Sequence, residues 1–489
     1  MPRRGSVVVV VVWSVAIAAV LVAATQIASF RQAAMGREAL ARVEARWSAR
    51  AGVEQMIAIM EYHLQNPDAD DPMAVVRDME AHAVGETPSG TWSISHFNDG
   101  VEWAGPCDEA SKLNINTATR LQLMELPNMT PDVVDAIIDW RDANDTVESL
   151  GAEADYYLNR GMGYEPRNGP FRSVAELELV AGAWPKYVRG EDWNLNGRLD
   201  PNEDDGPRSF PDDKPDGVLD AGWSKYLTAT SRQSRVSTSG NDKFPLQGAD
   251  SETLMKTTGV DEGQAKALAA WAATGNARAE TLLITPLSQL SSSAAGGRAG
   301  SGAGGSRSSG GRGTNPTPSG AGGSMAGRSG MDSRAPAGDA RSGRSSAGAP
   351  TAGSGAPQAQ DLDAAQLRAL LRETSGDDFA QPVQGRININ TASASLLKEV
   401  LQLDPRVADT IIARRKASPG GITSVADLQG LPGLDPAALV QMAQQFDVTG
   451  NVYTVTSRGR ASSTGSQVDI EVVVDRSELP ARIVSYRER

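Results

Sequence analysis

From Ser6 to Ala24 the chain is almost wholly apolar, with six consecutive valines from Val7 to Val12, and from Ile27 to Leu64 it contains no proline. An apolar run of about 18 or more residues is long enough to cross a bilayer as a helix. Arg3 and Arg4 stand just ahead of the run and put its start on the cytoplasmic side. The helical signal continues past the membrane. Ala39, Leu40, Val43, Trp47, Ala51, Val53, Met56 and Ile57 recur among charges until Asn66-Pro67 ends the run. A continuous helix from Ser6 to Gln65 would be about 90 Å long at about 1.5 Å per residue. A simple anchor rarely needs that length, whereas a filament subunit uses it as a packing spine.

Three readings of the start compete. A cleaved secretory signal needs a charged start, a shorter apolar core and small residues at the cut, and Ala23-Ala24-Thr25 fits this loosely. An uncleaved signal anchor is the second. The third is cleavage after Gly5, which makes Ser6 the new N-terminus. Membrane physics does not select it, but Arg3-Arg4-Gly5-Ser6 followed at once by the apolar run resembles a type IV prepilin leader. Counting from Ser6, the fifth residue is Val10, where most pilins and pseudopilins have Glu. A carboxylate in lipid is costly unless it finds a partner, and a subunit at a filament tip has no neighbour above to supply one.

The chain has 489 residues, enough for several domains, and a net charge of −13. That balance argues against a protein that coats nucleic acid, which needs Lys and Arg to replace counterions along phosphates. It suits divalent cations or basic partners. Cys107 is the single cysteine, so no intrachain disulfide can form, and with three histidines a zinc enzyme is not expected. There is no Ser-His-Asp outline, P-loop or dinucleotide fingerprint, so no enzyme is expected either.

After the spine, Gly90 to Phe97 alternates in polarity, Asn98-Asp99-Gly100 gives a turn and Val101-Glu102-Trp103 follows, which predicts a β-hairpin. Asn114-Ile115-Asn116-Thr117-Ala118 recurs as Asn388-Ile389-Asn390-Thr391-Ala392, and Ser173 to Leu177 recurs as Ser424 to Leu428. A weaker third copy runs from Leu254-Met255 through Val260 and Ala267-Leu268 to Trp271, which aligns with Trp140. Each copy reads as two short helices joined by a tight turn. The tract at 291–358 is Gly, Ser, Ala, Arg and Pro with almost no large apolar residue, the composition of a disordered linker. Strands return at Asp447 to Ala461, Gln467 to Asp475 and Ala481 to Tyr486. The fold class expected is α+β: a long N-terminal transmembrane and spine helix, and a pilin-like β core interrupted by a large α-helical domain with helix-hairpin-helix repeats.

Such repeats, with an Ile-Asn-Ile-Asn-Thr-Ala opening, also occur in competence proteins that bind DNA, and a membrane-anchored DNA-binding protein is the alternative function. Phosphate binding by this module needs Gly-hydrophobic-Gly in the hairpin, so that backbone N–H groups approach closely. Here the hairpins read Asn128-Met129-Thr130, Gly259-Val260-Asp261, Gln402-Leu403-Asp404 and Gly433-Leu434-Asp435. None keeps both glycines, and three place Asp where phosphate belongs. Packing or protein contact is the preferred role, and nucleic acid is not an expected partner.

The sharpest chemical motif is Asp192-Trp-Asn194-Leu-Asn196-Gly197-Arg198-Leu-Asp200-Pro-Asn-Glu203, which fits an EF-hand loop at each ligand position. Calcium takes six to eight oxygens, with Gly at the sixth position for the sharp turn and a bidentate Glu at the twelfth. Asp192, Asn194, Asn196, the Arg198 carbonyl, Asp200 and Glu203 are the candidate Ca2+ ligands. A degenerate second loop follows with Asp212, Asp216 and Asp220, in which Lys214 replaces a ligand and no Glu closes the ring.

The layout as a whole resembles the K-type minor pseudopilin family of type II secretion. The resemblance runs through the N-terminal helix and Leu113–Asn116 to Gly151-Ala-Glu-Ala-Asp-Tyr-Tyr157, similar to a G-A-E-D-x-x-Y signature. It then continues over Gly169–Val180, Tyr226–Thr228, Asn388–Leu434 and the closing strands. The absence of Glu at Val10 matches that type. The resemblance implies a subunit at the tip of a pseudopilus, with I-type and J-type pseudopilins, the inner-membrane secretion platform and the prepilin peptidase as partners. It also implies cleavage at Gly5, methylation at Ser6, calcium binding, and a single-pass inner-membrane location with the bulk periplasmic. The domains expected are a leader (1–5), the membrane and spine helix (6–65) and the first part of the β core (66–110). Next come an inserted α domain with the calcium loop (111–290), the linker (291–358), a second helix-hairpin-helix domain (359–446) and the last strands of the β core (447–489).

Overall fold

The computed structural model describes residues 5–275, 277–291, 360–377, 379 and 381–489. Helix α1 runs unbroken over Gly5–Gln65. It is the one helix among the described residues long and apolar enough to cross a membrane, and nothing covers its most apolar stretch. Its second half is built differently. Ala41, Ala45, Ala49, Val53, Met56 and Met60 return every third or fourth residue and are all buried, which makes one stripe along the helix.

That stripe lies on an antiparallel sheet. The strands are β1 (Val84–Thr87), β2 (Gly90–Asn98), β3 (Val101–Ala104) and β4 (Cys107–Asp108) before a long insertion, and β11 (Val452–Ala461), β12 (Gln467–Asp475) and β13 (Arg482–Glu488) after it. They run in the order β1-β2-β11-β12-β13, with β3 on β2 and β4 on β11. The expected hairpin is present, with Asn98 opposite Val101. Asp99 and Gly100 both have positive φ, at 50° and 72°, which matches the twist of the flanking strands. Segments 363 residues apart in sequence meet in the central pair, where Ser457 faces Ile94.

Small residues set the distance between helix and sheet. A Cβ on Gly459 would stand 1.9 Å from the Ala45 carbonyl oxygen and 2.5 Å from the Ala49 nitrogen. Backbone therefore rests on backbone there, with Ala41, Ala45 and Ala461 packed around the contact.

Between β4 and β11 the chain forms an α-helical insert. Its helices are short: α3 (Arg120–Met124), α4 (Pro131–Arg141), α5 (Ala154–Asn159), α6 (Pro185–Arg189), α7 (Ser251–Thr258), α8 (Glu262–Ala272), α9 (Ala364–Glu373), α10 (Pro405–Ala417) and α11 (Pro436–Gln445). Three two-residue parallel ladders tie distant segments together: β5 (Leu113–Asn114) with β6 (Leu227–Thr228), β7 (Phe244–Pro245) with β8 (Thr374–Ser375), and β9 (Ile387–Asn388) with β10 (Phe446–Asp447). One apolar core runs from Leu113 to Val448. The separation expected between an α domain at 111–290 and another at 359–446 is therefore absent. The middle repeat α7–α8 packs on α9, where the Gln264 and Gln366 side chains bond at 3.1 Å. Apart from Ser291, the expected linker lies outside the described residues.

The close approach at Gly459 is testable. Gly459→Ala forces a methyl group into the helix backbone and should lower stability by about 1–3 kcal/mol, read from urea unfolding of the full chain in detergent. Gly36→Ala, where a Cβ would meet nothing within 4 Å, should leave stability unchanged or slightly raised.

Candidate functional site

The repeated Asn-Ile-Asn-Thr-Ala segments occupy equivalent places, and the same letters do the same work in both. In the first, the Asn116 nitrogen donates to Asn114 Oδ1 at 2.9 Å. The Asn116 amide then bridges to a distant loop, donating to the Phe171 carbonyl and accepting from the Phe171 nitrogen at 2.7 Å. Arg141, at the end of α4, donates to the carbonyls of Ile115 and Ala118. In the second, the Asn390 nitrogen donates to Asn388 Oδ1 at 3.0 Å, and Asn390 bridges to Ile422 and Val448. Arg415, at the end of α10, donates to Ile389 and Ala392. The residues that define the repeat are thus engaged in closing each module on itself.

The hairpins follow the same logic. Asn128, Gly259, Gln402 and Gly433 all take positive φ, between 52° and 87°, so one left-handed residue turns the chain in each. The aspartates behind them cap the next helix. Asp261 accepts from the Gln264 nitrogen, Asp404 from Arg406 and Asp435 from Ala438, at 2.8–2.9 Å. A carboxylate therefore already occupies the helix N-termini at which a DNA phosphate would bind. A fifth hairpin, unread in the sequence, joins Val174–Leu179 to α6 with Gly182 at φ 79°. Gly182 followed by Pro185 at the helix start was the signal.

The acidic loop at 192–203 lies against the pilin-like sheet. It curls as an EF-type loop does: Asp192 accepts from the nitrogens of Asn196 and Gly197, both at 2.9 Å, and Asn196 Oδ1 accepts from Arg198 at 2.7 Å. Leu195 and Gly197 have positive φ. Asp200 is shared, accepting from the Asn194 and Asn196 amides and pairing with Arg458 on β11 at 2.8 Å. Glu203 accepts from the nitrogens of Trp193 and Asp200. Asp192 and Glu203 are 2% and 1% exposed. Burial pushes the Asp192 carboxyl up to about 6 and, helped by the charges of Asp192 and Asp200, the Glu203 carboxyl up to about 7. Further bonds clamp the loop to the sheet: the Phe97 nitrogen to the Gly197 carbonyl at 2.8 Å, Thr456 Oγ1 to the Asn196 carbonyl at 3.2 Å, and Arg489 to the Asn194 carbonyl at 2.6 Å.

The second acidic loop does not assemble. Asp212, Asp216 and Asp220 are all exposed; Asp216 and Asp220 accept from the nitrogens of Val218 and Gly222 in local turns. What holds this loop is Glu191, whose two oxygens accept from the nitrogens of Lys214 and Asp220. Sequence reasoning missed Glu191 because it sits one position outside the motif. Among the described residues no three His, Cys, Asp or Glu side chains group as metal ligands, so a cation in either loop must draw on amide and carbonyl oxygens.

The inward use of the repeat asparagines sets an expectation. Asn390→Ala leaves three buried backbone groups unpaired and should cost about 2–4 kcal/mol of stability. Arg414→Ala, exposed on the same module, should stay within about 0.5 kcal/mol. Denaturant melts of the two variants check the difference.

Comparison with known proteins follows this geometry. Residues 108–190 match the family model described as type II secretion system (T2SS), protein K. Residues 383–447 match the model described as helix-hairpin-helix motif. No curated protein matches the chain. A chain of the crystal structure of the GspK-GspI-GspJ complex from the enterotoxigenic Escherichia coli type 2 secretion system aligns over 93% of this chain and 99% of its own, at 11% identity and a TM-score of 0.41. Over residues 108–190 this protein is thus similar to the type II secretion system protein K family, the family that its sequence resembles.

Proposed function

We propose that this chain is a K-type minor pseudopilin, anchored in the inner membrane with its bulk in the periplasm, that sits at the tip of a type II secretion pseudopilus. There it takes part in pseudopilus initiation and in protein export across the outer membrane. Helix α1 carries the reading. It is a single element whose first half is uncovered and of membrane-spanning character while its second half is docked on a sheet, in the same chain as a protein K domain. A spine of this kind supports side-by-side packing with the helices of I-type and J-type pseudopilins and with the secretion platform. Val10 in place of a membrane glutamate suits a subunit with no neighbour above it. The role is structural, not catalytic.

Prepilin peptidase cuts after Gly5 and methylates Ser6 in this reading. The mass of the N-terminal peptide from native membranes tests it. A methylated start at Ser6 is expected; a start at Met1 or Pro2, or one near Ala24, sinks the pseudopilin assignment.

Calcium belongs to the same proposal. The oxygens of Asp192, Asn194, Asn196, Asp200 and Glu203 and the Arg198 carbonyl are the hard donors this ion takes. Two of the carboxylates are buried, where a divalent charge offsets their repulsion. Bound there, the ion supplies neutralising charge, and the loop's own bonds to Phe97 and Thr456 carry the added rigidity to the sheet. Calcium should raise the melting temperature of the full chain, and Asp192→Ala should reduce the rise. Stability indifferent to both chelation and Asp192→Ala ends the EF-loop assignment.

A further inference from the structure

A buried cation without an anion sits where the spine ends. Helix α1 stops at Gln65, and the turn after it packs on the insert, where a Cβ on Gly240 would stand 2.7 Å from the Pro67 ring. Strand β12 ends at the same place. Arg476, the residue after it, is 7% exposed. Its backbone is tied down, the nitrogen donating to the Asn451 carbonyl at 2.8 Å. Its side-chain Nε is buried with no hydrogen-bond partner, and no carboxylate among the described residues pairs with it. Its neighbour Asp475 is occupied by Arg232 at 3.1 Å. Tyr453 lies beside the guanidinium, but burial pushes its phenol pKa up, and its hydroxyl donates to the Gly450 carbonyl at 3.2 Å. Tyr453 therefore stays neutral and supplies no countercharge. A buried charge left unpaired is costly, by more than an ordinary hydrogen bond returns.

Arg476 lines a cavity of about 60 Å³ between the end of α1 and the insert. The charged groups around that cavity are committed elsewhere. Asp71 takes both Nη atoms of Arg77, at 2.8 and 2.5 Å. His63 pairs with Asp78 at 3.0 Å. Asp68 is at the exposed rim and accepts from the Asp70 nitrogen at 2.9 Å. Thr238 of the insert and Thr449 at its far end also line the cavity, and neither hydroxyl has a hydrogen-bond partner among the described residues. A guanidinium and two hydroxyls with donors to spare are the complement of an oxyanion. One unpaired positive charge calls for a single negative one, and the planar fork of arginine matches a carboxylate through two parallel bonds.

We propose that Arg476, Thr238 and Thr449 form a binding site for a carboxylate, apart from both acidic loops. The cavity shares Ser234, Val236, Thr238, Thr449 and Asn451 with a larger one of about 260 Å³ that continues into the insert past Lys243 and Arg386. A carboxylate at Arg476 thus has polar space beside it for the body that carries it. Two sources bring the same group: a small free carboxylate, or the C-terminal carboxylate of a peptide. A lipid headgroup is out of reach, because Leu64 lies about 60 Å along α1 from Ala24. Bound there, the carboxylate ties the end of β12 to two segments of the insert.

Melting of the full chain in detergent tests this, with sodium acetate titrated against sodium chloride at constant ionic strength. Acetate at ten times its half-saturating concentration should raise the melting temperature of the parent by about 2 °C, and chloride should not. Arg476→Met keeps the length of the side chain and removes its charge. Without acetate it should melt at or above the parent, and acetate should not move it. Thr449→Val keeps Arg476 in place and should need about ten-fold more acetate for the same shift. N-acetyl-tetraalanine with a free C-terminus, and the same peptide as its C-terminal amide, separate the two sources. A free-ended peptide that acts below the acetate concentration, while the amide is inert, makes the ligand a chain end. A free-ended peptide no better than acetate makes it a small carboxylate, and the site stands in both cases. Absence of an acetate shift in the parent, a shift that Arg476→Met retains in full, or an amide as active as the free-ended peptide overturns the site. Should Arg476→Met not fold, Thr449→Val decides, and an unchanged acetate dependence there overturns the site as well.

Discussion

The contact of the α1 backbone with β11 at Gly459 is the constraint on which the rest of the fold depends. The Ala45 carbonyl and the Ala49 nitrogen lie where a side chain on residue 459 would have to go. A helix held that close to a sheet needs small residues on both elements, and the alanines at 41, 45 and 49 supply them at one-turn spacing. Larger residues, Val53, Met56 and Met60, then fill the widening gap towards Val455, Ile470 and Val472. The same strand receives β2 from the start of the chain and β12 from its end. Spine, early strands and late strands therefore share β11, and the long insert is obliged to leave and re-enter beside it.

The way the insert re-enters is electrostatic. Asp108, the last residue of β4, is 5% exposed and accepts from Asn388 Nδ2 at 2.8 Å and Thr391 Oγ1 at 2.7 Å, both in the second repeat. Arg458 on β11 reaches the other way, to Asp200 of the acidic loop and to Asp469 of β12. Glu109 accepts from Thr228 and Thr454, one in the insert and one in the sheet. Buried polar bonds of this kind return little net stability, but leaving either partner unpaired is expensive. They fix the insert in one orientation on the sheet, where an apolar contact of the same area would tolerate sliding.

Much of this was legible in the sequence, and what escaped has a physical reason. The spine, the hairpin at Asp99-Gly100 and the closing strands follow from local pattern, since apolar periodicity and turn chemistry act over a few residues. The repeats were visible as letters, yet their use was not. That Asn116 and Asn390 spend their amides on Phe171 and on Ile422 depends on segments 32 to 55 residues away, beyond any local signal. The two α segments read as separate domains because the tract between them breaks the pattern, although α9 packs on α7 and α8 and shares their core. The loop at 192–203 announced itself by motif. Asp139 and Glu153 did not, because a pair of buried acids has no regular spacing and is recognised only when the donors around them are accounted for.

The net charge of −13 acquires a meaning from this arrangement. A surface that negative would ordinarily keep its carboxylates in water, where each is solvated and harmless. Instead Asp108, Asp139, Glu153, Asp192 and Glu203 are buried within the insert or against the sheet. Some are met by side chains: Asp108 by Asn388 and Thr391. Asp192 and Glu203 are met by backbone nitrogens, and Asp139 and Glu153 retain bare oxygens. That gradation orders the buried acids by how far the fold itself offsets the cost of burying them, from Asp108, met by two side chains, to Glu153, met by none.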